Sequence, residues 1–140
     1  MKLNYECVRA VLLSVEKLHQ IVENEEGGLE LAWLSVDDVI DDLPRFDAKD
    51  VLYTVLILDQ ADYIDAETDW QGNAIAYCYV TQMNYAGHEL LEKIRDGARW
   101  GAVKKALSSI RDYSLDAIRA TAEGVTGAAI ARYFSSLPPA

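Results

Sequence analysis

The spacing of apolar residues changes along the chain, and each change marks an element. Between Asp47 and Asp62, Val51, Leu52, Val55, Leu56 and Leu58 fall on one side of a 3.6-residue wheel, which predicts a helix with that side buried. Its other side carries Lys49, Asp50, Tyr53, Thr54, Ile57 and Gln60. The stretch Asp65 to Asn73 then reads as a turn, closed by Trp70-Gln71-Gly72-Asn73, where Gly72 tolerates a positive φ. From Ala74 to Val80 the period falls to two. Ile75, Tyr77 and Tyr79 alternate there with Ala76, Cys78 and Val80, predicting a strand with one aromatic face.

Upstream, Asn4 caps a predicted helix running to Val22, with Val8, Val11, Leu12, Val15, Leu18 and either Ile21 or Val22 at helical spacing. Asn24 to Gly28 ends it, and Leu29 to Leu34 alternates as a short strand. Ser35 opens a helix over Val36 to Leu43, with Asp38 as its capping-box partner, and Pro44 stops it. Downstream, Thr81 caps a helix over Gln82 to Arg95, and Gly97 and Gly101 bracket a break around Trp100. A final helical region runs to Phe134, interrupted at Asp112 to Ser114, and Ser135 to Ala140 reads as frayed. The order helix, strand, helix, turn, helix, hairpin predicts a mainly α protein with a small β-hairpin (α+β). More finely, it predicts a winged helix-turn-helix domain over residues 1–96 and a C-terminal helical tail over 97–140.

Charge changes this picture more than composition does. Residues 1–92 carry 5 Lys/Arg against 19 Asp/Glu, a net −14, whereas residues 93–140 carry 8 against 4, a net +4. In a DNA-reading winged helix the outer face of the third helix meets base edges and phosphates with cations and amides. Here that face offers Lys49 against Asp50, with Asp47, Asp59, Asp62, Asp65, Glu67 and Asp69 nearby to repel a polyanion. The reversed sign points to a protein partner for Lys49, Asp50, Tyr53, Thr54, Ile57, Gln60 and the wing residue Trp70, with nucleic acid disfavoured.

Other candidates each have a plainer explanation. Asp37, Asp38, Asp41 and Asp42 place two i,i+4 carboxylate pairs on a short helix, an acidic surface able to imitate phosphate spacing or simply a solvated face. Asp37 and Asp38 also suit the helix dipole, whereas Asp41 and Asp42 lie at its wrong end. His88 and Glu89 project about 100° apart on a helix, so one does not orient the other for acid–base chemistry, and His19 stands alone. Cys7 and Cys78 lack metal or redox spacing and read as buried thiols. No catalytic residue, metal site or cofactor is expected, nor any membrane span.

In the tail, Ala120, Gly124 and Ala128 recur every four residues, with Gly127 and Ala131 repeating the spacing beside them. Small residues at this period allow close helix approach, either to a second copy in a homodimer or back onto the chain's own first domain. The cations Lys93, Arg95, Arg99, Lys104, Lys105 and Arg111 lie ahead of them, available to an acidic neighbour.

The start Met1-Lys2-Leu3-Asn4, the run Gly87-His88-Glu89-Leu90-Leu91-Glu92-Lys93-Ile94-Arg95-Asp96 and the following Trp100 resemble a phage- and prophage-associated family, domain of unknown function 2513. That resemblance implies a winged-helix fold and the cytoplasm of a bacterial host, and it brings no activity or catalytic residues. The leading expectation is a non-enzymatic module acting through protein–protein contact. The alternatives are a DNA-binding regulator of phage genes and an acidic anti-defence (anti-CRISPR-like) inhibitor that mimics nucleic acid.

Overall fold

The computed structural model describes residues 1–138 and consists of two compact units, one from Met1 to His88 and one from Glu89 onward. Pro139 and Ala140, part of the end expected to fray, lie outside the described residues. The architecture is α+β: among the described residues, six helices with two small antiparallel sheets.

Helix α1 spans Tyr5–Leu18, and the Asn4 side chain accepts from the backbone N–H groups of Glu6 and Cys7. Cys7, Val8, Val11, Leu12 and Val15 are buried along it. It does not reach Val22 as the periodicity suggested. Ile21–Glu23 instead forms β1, paired antiparallel with β2 (Leu29–Leu31). Branching at Cβ disfavours helix and favours strand for Ile21 and Val22, and the Asn24 side-chain Oδ1 closes the loop by accepting from Glu26 and Gly28 N–H. Leu29–Leu31 therefore belongs to this hairpin, and a different pair, Leu34–Ser35 (β3), joins the main sheet.

Helix α2 covers Val36–Asp42. The Ser35 hydroxyl accepts from Asp37 N–H at 3.2 Å, so Ser35 caps the helix as expected, without Asp38 as a reciprocal partner. Helix α3 covers Ala48–Gln60 and begins at Asp47, whose carboxylate accepts from Lys49 N–H at 2.8 Å. Asp62, at φ 63°, carries the chain out of α3 and into the sheet.

The predicted turn Asp65 to Asn73 is mostly strand. β4 runs from Ile64 to Gln71 and β5 from Ala74 to Met83, leaving Gly72 and Asn73 between them, with Gly72 at φ 65°. The main sheet has the order β3-β5-β4, all antiparallel. Ile64, Ala66 and Thr68 pair with the buried Met83, Val80 and Cys78, and the intervening Asp65, Glu67 and Asp69 point to the opposite face. Polar alternation, rather than turn chemistry, explains these acids. Thr81 lies inside β5 and donates its hydroxyl to the Asp65 carbonyl at 3.2 Å, so it is not a helix cap. The next helix, α4, starts at Tyr85 and ends at Ile94.

Gly87 sits where α4 crosses the end of β4. A Cβ there would lie 2.2 Å from the Tyr63 carbonyl oxygen and 2.8 Å from Met83 Cγ, so only glycine fits. Asn84 secures the same corner by donating to the Asp62 carbonyl at 3.1 Å and to Asp65 Oδ1 at 3.0 Å.

In the second unit, α5 (Gly97–Ile110) and α6 (Leu115–Ser136) form a helical pair, separated by Asp112 to Ser114 as the sequence suggested. Arg111 adopts the left-handed conformation at the end of α5, and the Ser114 hydroxyl caps α6 by accepting from Ala117 N–H. Trp100, Val103 and Leu107 of α5 are buried, as are Leu115, Ala117, Ile118 and Ala122 of α6. Leu90, Leu91 and Ile94, on the later part of α4, are buried too.

Candidate functional site

The buried seam of α3 is Val51, Thr54, Val55 and Leu58, an i, i+3, i+4, i+7 stripe. Leu52 and Leu56 are half-buried at its margins. Thr54 was expected on the outward face, but it is fully buried. Its hydroxyl donates to the Asp50 carbonyl at 2.7 Å, which lets a polar side chain occupy a core position at no unpaired cost. The outward side retains Lys49 and Gln60, both exposed, with Asp50, Tyr53 and Ile57 half-exposed. Asp59, read from the sequence as surface charge, accepts from Ala66 N–H at 3.0 Å and ties the end of α3 to β4.

Trp70 is exposed but stands apart in register. A shift between Asp69 and Trp70 sets it opposite Ile75, beside the Gly72–Asn73 turn. The sheet's outer face carries a different aromatic group that the sequence only half revealed. Trp33 and Tyr79 have ring centroids 5.9 Å apart, and Tyr79 and Tyr77 5.3 Å apart. The alternation in β5 announced the two tyrosines, whereas Trp33 lies just before β3 and joins them only through strand pairing.

Asp37, Asp38 and Asp41 are exposed on α2, and among the described residues none of them forms an ion pair. Asp42 differs from them. It accepts from Lys17 Nζ at 2.6 Å, and that ammonium holds its carboxyl below the usual carboxylate range. The acidic surface is therefore three carboxylates rather than four. The Lys17–Asp42 bridge lines a cleft of about 520 Å³ between α1 and the α2–α3 connection, which Leu13, Leu43, Pro44 and Arg45 also border.

Both histidines line one cleft of about 230 Å³ together with Val15, Glu16, Leu31, Gln82 and Met83, so His19 does not stand alone. The two cysteines are free and buried. Burial pushes both thiols above their ordinary range, against the smaller opposing effects of Thr54 on Cys7 and Thr68 on Cys78.

In α6, Ala120, Gly124, Gly127, Ala128 and Ala131 are all exposed, and a Cβ added at Gly124 or Gly127 would meet nothing within 4 Å. Ile130, Tyr133, Phe134 and Leu137, large apolar residues at i, i+3, i+4 and i+7, are exposed as well. Among the described residues no helix is long and apolar enough to cross a membrane.

These features define a small acidic α+β domain joined to a helical unit. The chain belongs to the family described as "Hypothetical protein (DUF2513)", whose model matches residues 2–112. The match includes the Gly87 to Asp96 run and ends ahead of α6. The chain is also similar to an uncharacterized protein of Haemophilus influenzae, 30% identical over 126 residues that cover 89% of this chain and 95% of that protein. No solved structure matches it.

Proposed function

We propose that this protein is a non-enzymatic winged-helix module of a bacterial or phage cytoplasm that works by binding another protein. The order α1, β3, α2, α3, β4, β5 and the sheet order β3-β5-β4 support the winged-helix reading. The carrying observation is the outward side of α3, where Tyr53 and Ile57 stand half-exposed between Lys49 and Gln60 with one cation available for phosphate. A protein surface is recognised by aromatic and aliphatic anchors of this kind, whereas a duplex is held by cations. The test is capture from phage-infected host lysate, with and without nuclease treatment. A nuclease-resistant partner lost on Tyr53→Ala and Ile57→Ala supports the reading. A partner retained by both variants rejects it. Binding to genomic DNA fragments that weakens steeply with salt would move the assignment to a DNA-binding regulator.

A second reading, an anti-defence inhibitor that mimics nucleic acid, is favoured by the three exposed carboxylates Asp37, Asp38 and Asp41, which form no ion pair among the described residues. It requires that replacing them with Asn abolishes inhibition of a nuclease.

The α6 surface fits a homodimer. Gly124, Gly127 and their alanine neighbours allow close approach, and Ile130, Tyr133 and Phe134 supply apolar area that the chain leaves uncovered. Sedimentation as a monomer at micromolar concentration would remove the dimer from this proposal.

A further inference from the structure

We propose that the outer face of the β3-β5-β4 sheet binds an arginine-bearing segment of a partner protein, through a site separate from the outward side of α3. Trp33, Tyr79 and Tyr77 form a row of rings with centroid spacings of 5.9 and 5.3 Å, tilted 47° and 51° to one another. Trp33 is 56% exposed and Tyr77 47%, although the opposite face of the same strands buries Cys78 and Val80. Exposed, contiguous aromatic surface on one side of a sheet marks a binding surface.

The charge beside the row selects the ligand. Strand register sets Glu67 opposite Tyr79 and Asp69 opposite Tyr77. Directly paired residues share a face, with Cβ atoms roughly 5 Å apart. Among the described residues neither carboxylate forms an ion pair, and Asp69 has only a long contact of 3.4 Å from Gln71 Nε2. Ring faces next to uncompensated carboxylates repel phosphate, which sets aside a stacked nucleic-acid strand. The same arrangement attracts a guanidinium, which stacks flat on an aromatic ring while its edge donates to a carboxylate. Lysine supplies the charge without the plane or the fork, so arginine is preferred.

Calorimetric titration of the full chain with an acetylated, amidated (Gly-Arg)₄ peptide at about 100 mM salt, where distant surface charges are largely screened, tests this. The (Gly-Arg)₄ peptide binds more tightly than (Gly-Lys)₄. The isosteric double variant Glu67→Gln/Asp69→Asn weakens it about tenfold, as does Tyr77→Ala, in keeping with the loss of desolvated cation–π and charge-assisted contacts. Asp37→Asn/Asp41→Asn removes the same charge from α2 and leaves affinity within about twofold, because both carboxylates that pair with the ring residues stay in place to accept from the guanidinium. Equal weakening by the two double variants, equal affinity for the lysine peptide, or no binding of (Gly-Arg)₄ overturns the proposal. So does tighter binding of a single-stranded oligonucleotide that depends on Tyr77. Circular dichroism checks that Tyr77→Ala is folded, and the Glu67/Asp69 pair decides the matter if it is not.

Discussion

Helices α3 and α6 use their lengths in opposite ways. α3 buries Val51, Thr54, Val55 and Leu58 from its first turn to its last, whereas α6 buries Leu115, Ala117, Ile118 and Ala122 near its start and, among the described residues, only half-buries Val125, Thr126 and Ala129 after them. An isolated helical segment of about a dozen residues is marginal in water, so tertiary cover normally sustains it. By that measure α3 is sustained by its own unit, and the second half of α6 lacks equivalent cover. Ile130 at 50% exposure and Phe134 at 64% are placed where a second surface would supply it. Burial per turn, rather than helix length, separates an element built for the core from one offered outward.

The largest expected effect lies in the seam of α3. Leu58→Ala should destabilise the first unit by about 3 kcal/mol in urea unfolding, since the side chain is fully buried. Ile130→Ala should change stability by no more than about 0.5 kcal/mol at a concentration where the chain is monomeric. A comparable loss at both sites would erase the contrast between the helices.

Glycine substitutions sharpen the comparison through their sign. Gly87→Ala places a methyl group 2.2 Å from the Tyr63 carbonyl oxygen, and a loss of about 2 kcal/mol is expected from overpacking. Gly124→Ala enters open space, and helix propensity alone predicts a gain of up to about 1 kcal/mol. Melting both variants reads the two signs directly. If α6 pairs with a second copy, Gly124→Ala also weakens the dimer as it strengthens the helix, which sedimentation separates from the thermal gain.

The smallest effect is a pH dependence. Donation from the Asn84 side chain, and secondarily from Gln82, holds the Asp65 carboxyl below the usual carboxylate range. A depressed folded value means that this stabilisation is complete above the unfolded value of about 3.9 and fades as pH falls through the lower folded one. Asp65→Asn should therefore flatten the acid limb of the stability curve below about pH 4 and leave its shape near neutrality unchanged. An acid limb identical to that of the unaltered protein would show that the corner is held without this carboxylate.

Much of the fold was legible because local chemistry and tertiary packing agree. Asn4 and Ser35 cap the helices they announce, and Pro44 falls after α2. Sequence and structure part where one residue type serves two purposes. Asp65, Glu67 and Asp69 resemble turn acids until Ile64, Ala66 and Thr68 are seen to alternate with them. Ile21 and Val22 continue the helical period of α1 but pair across β1 and β2. Thr54 hides in the core because its own helix satisfies the hydroxyl, which no wheel reveals. Of the binding surfaces, the outward side of α3 could be drawn from spacing. The row of Trp33, Tyr79 and Tyr77 could not, because residues far apart in the chain become neighbours only when β3 pairs with β5.

The two sequestered thiols give this protein a built-in clock. Cys7 sits within α1 and Cys78 in the middle strand of the sheet, and burial keeps both protonated and shielded from alkylating reagents. Modification then waits for the surrounding structure to part, and its rate follows the population of opened molecules. A mass spectrometer counting one or two added groups over time would thus record how often helix and sheet separate in the native chain, with no label introduced.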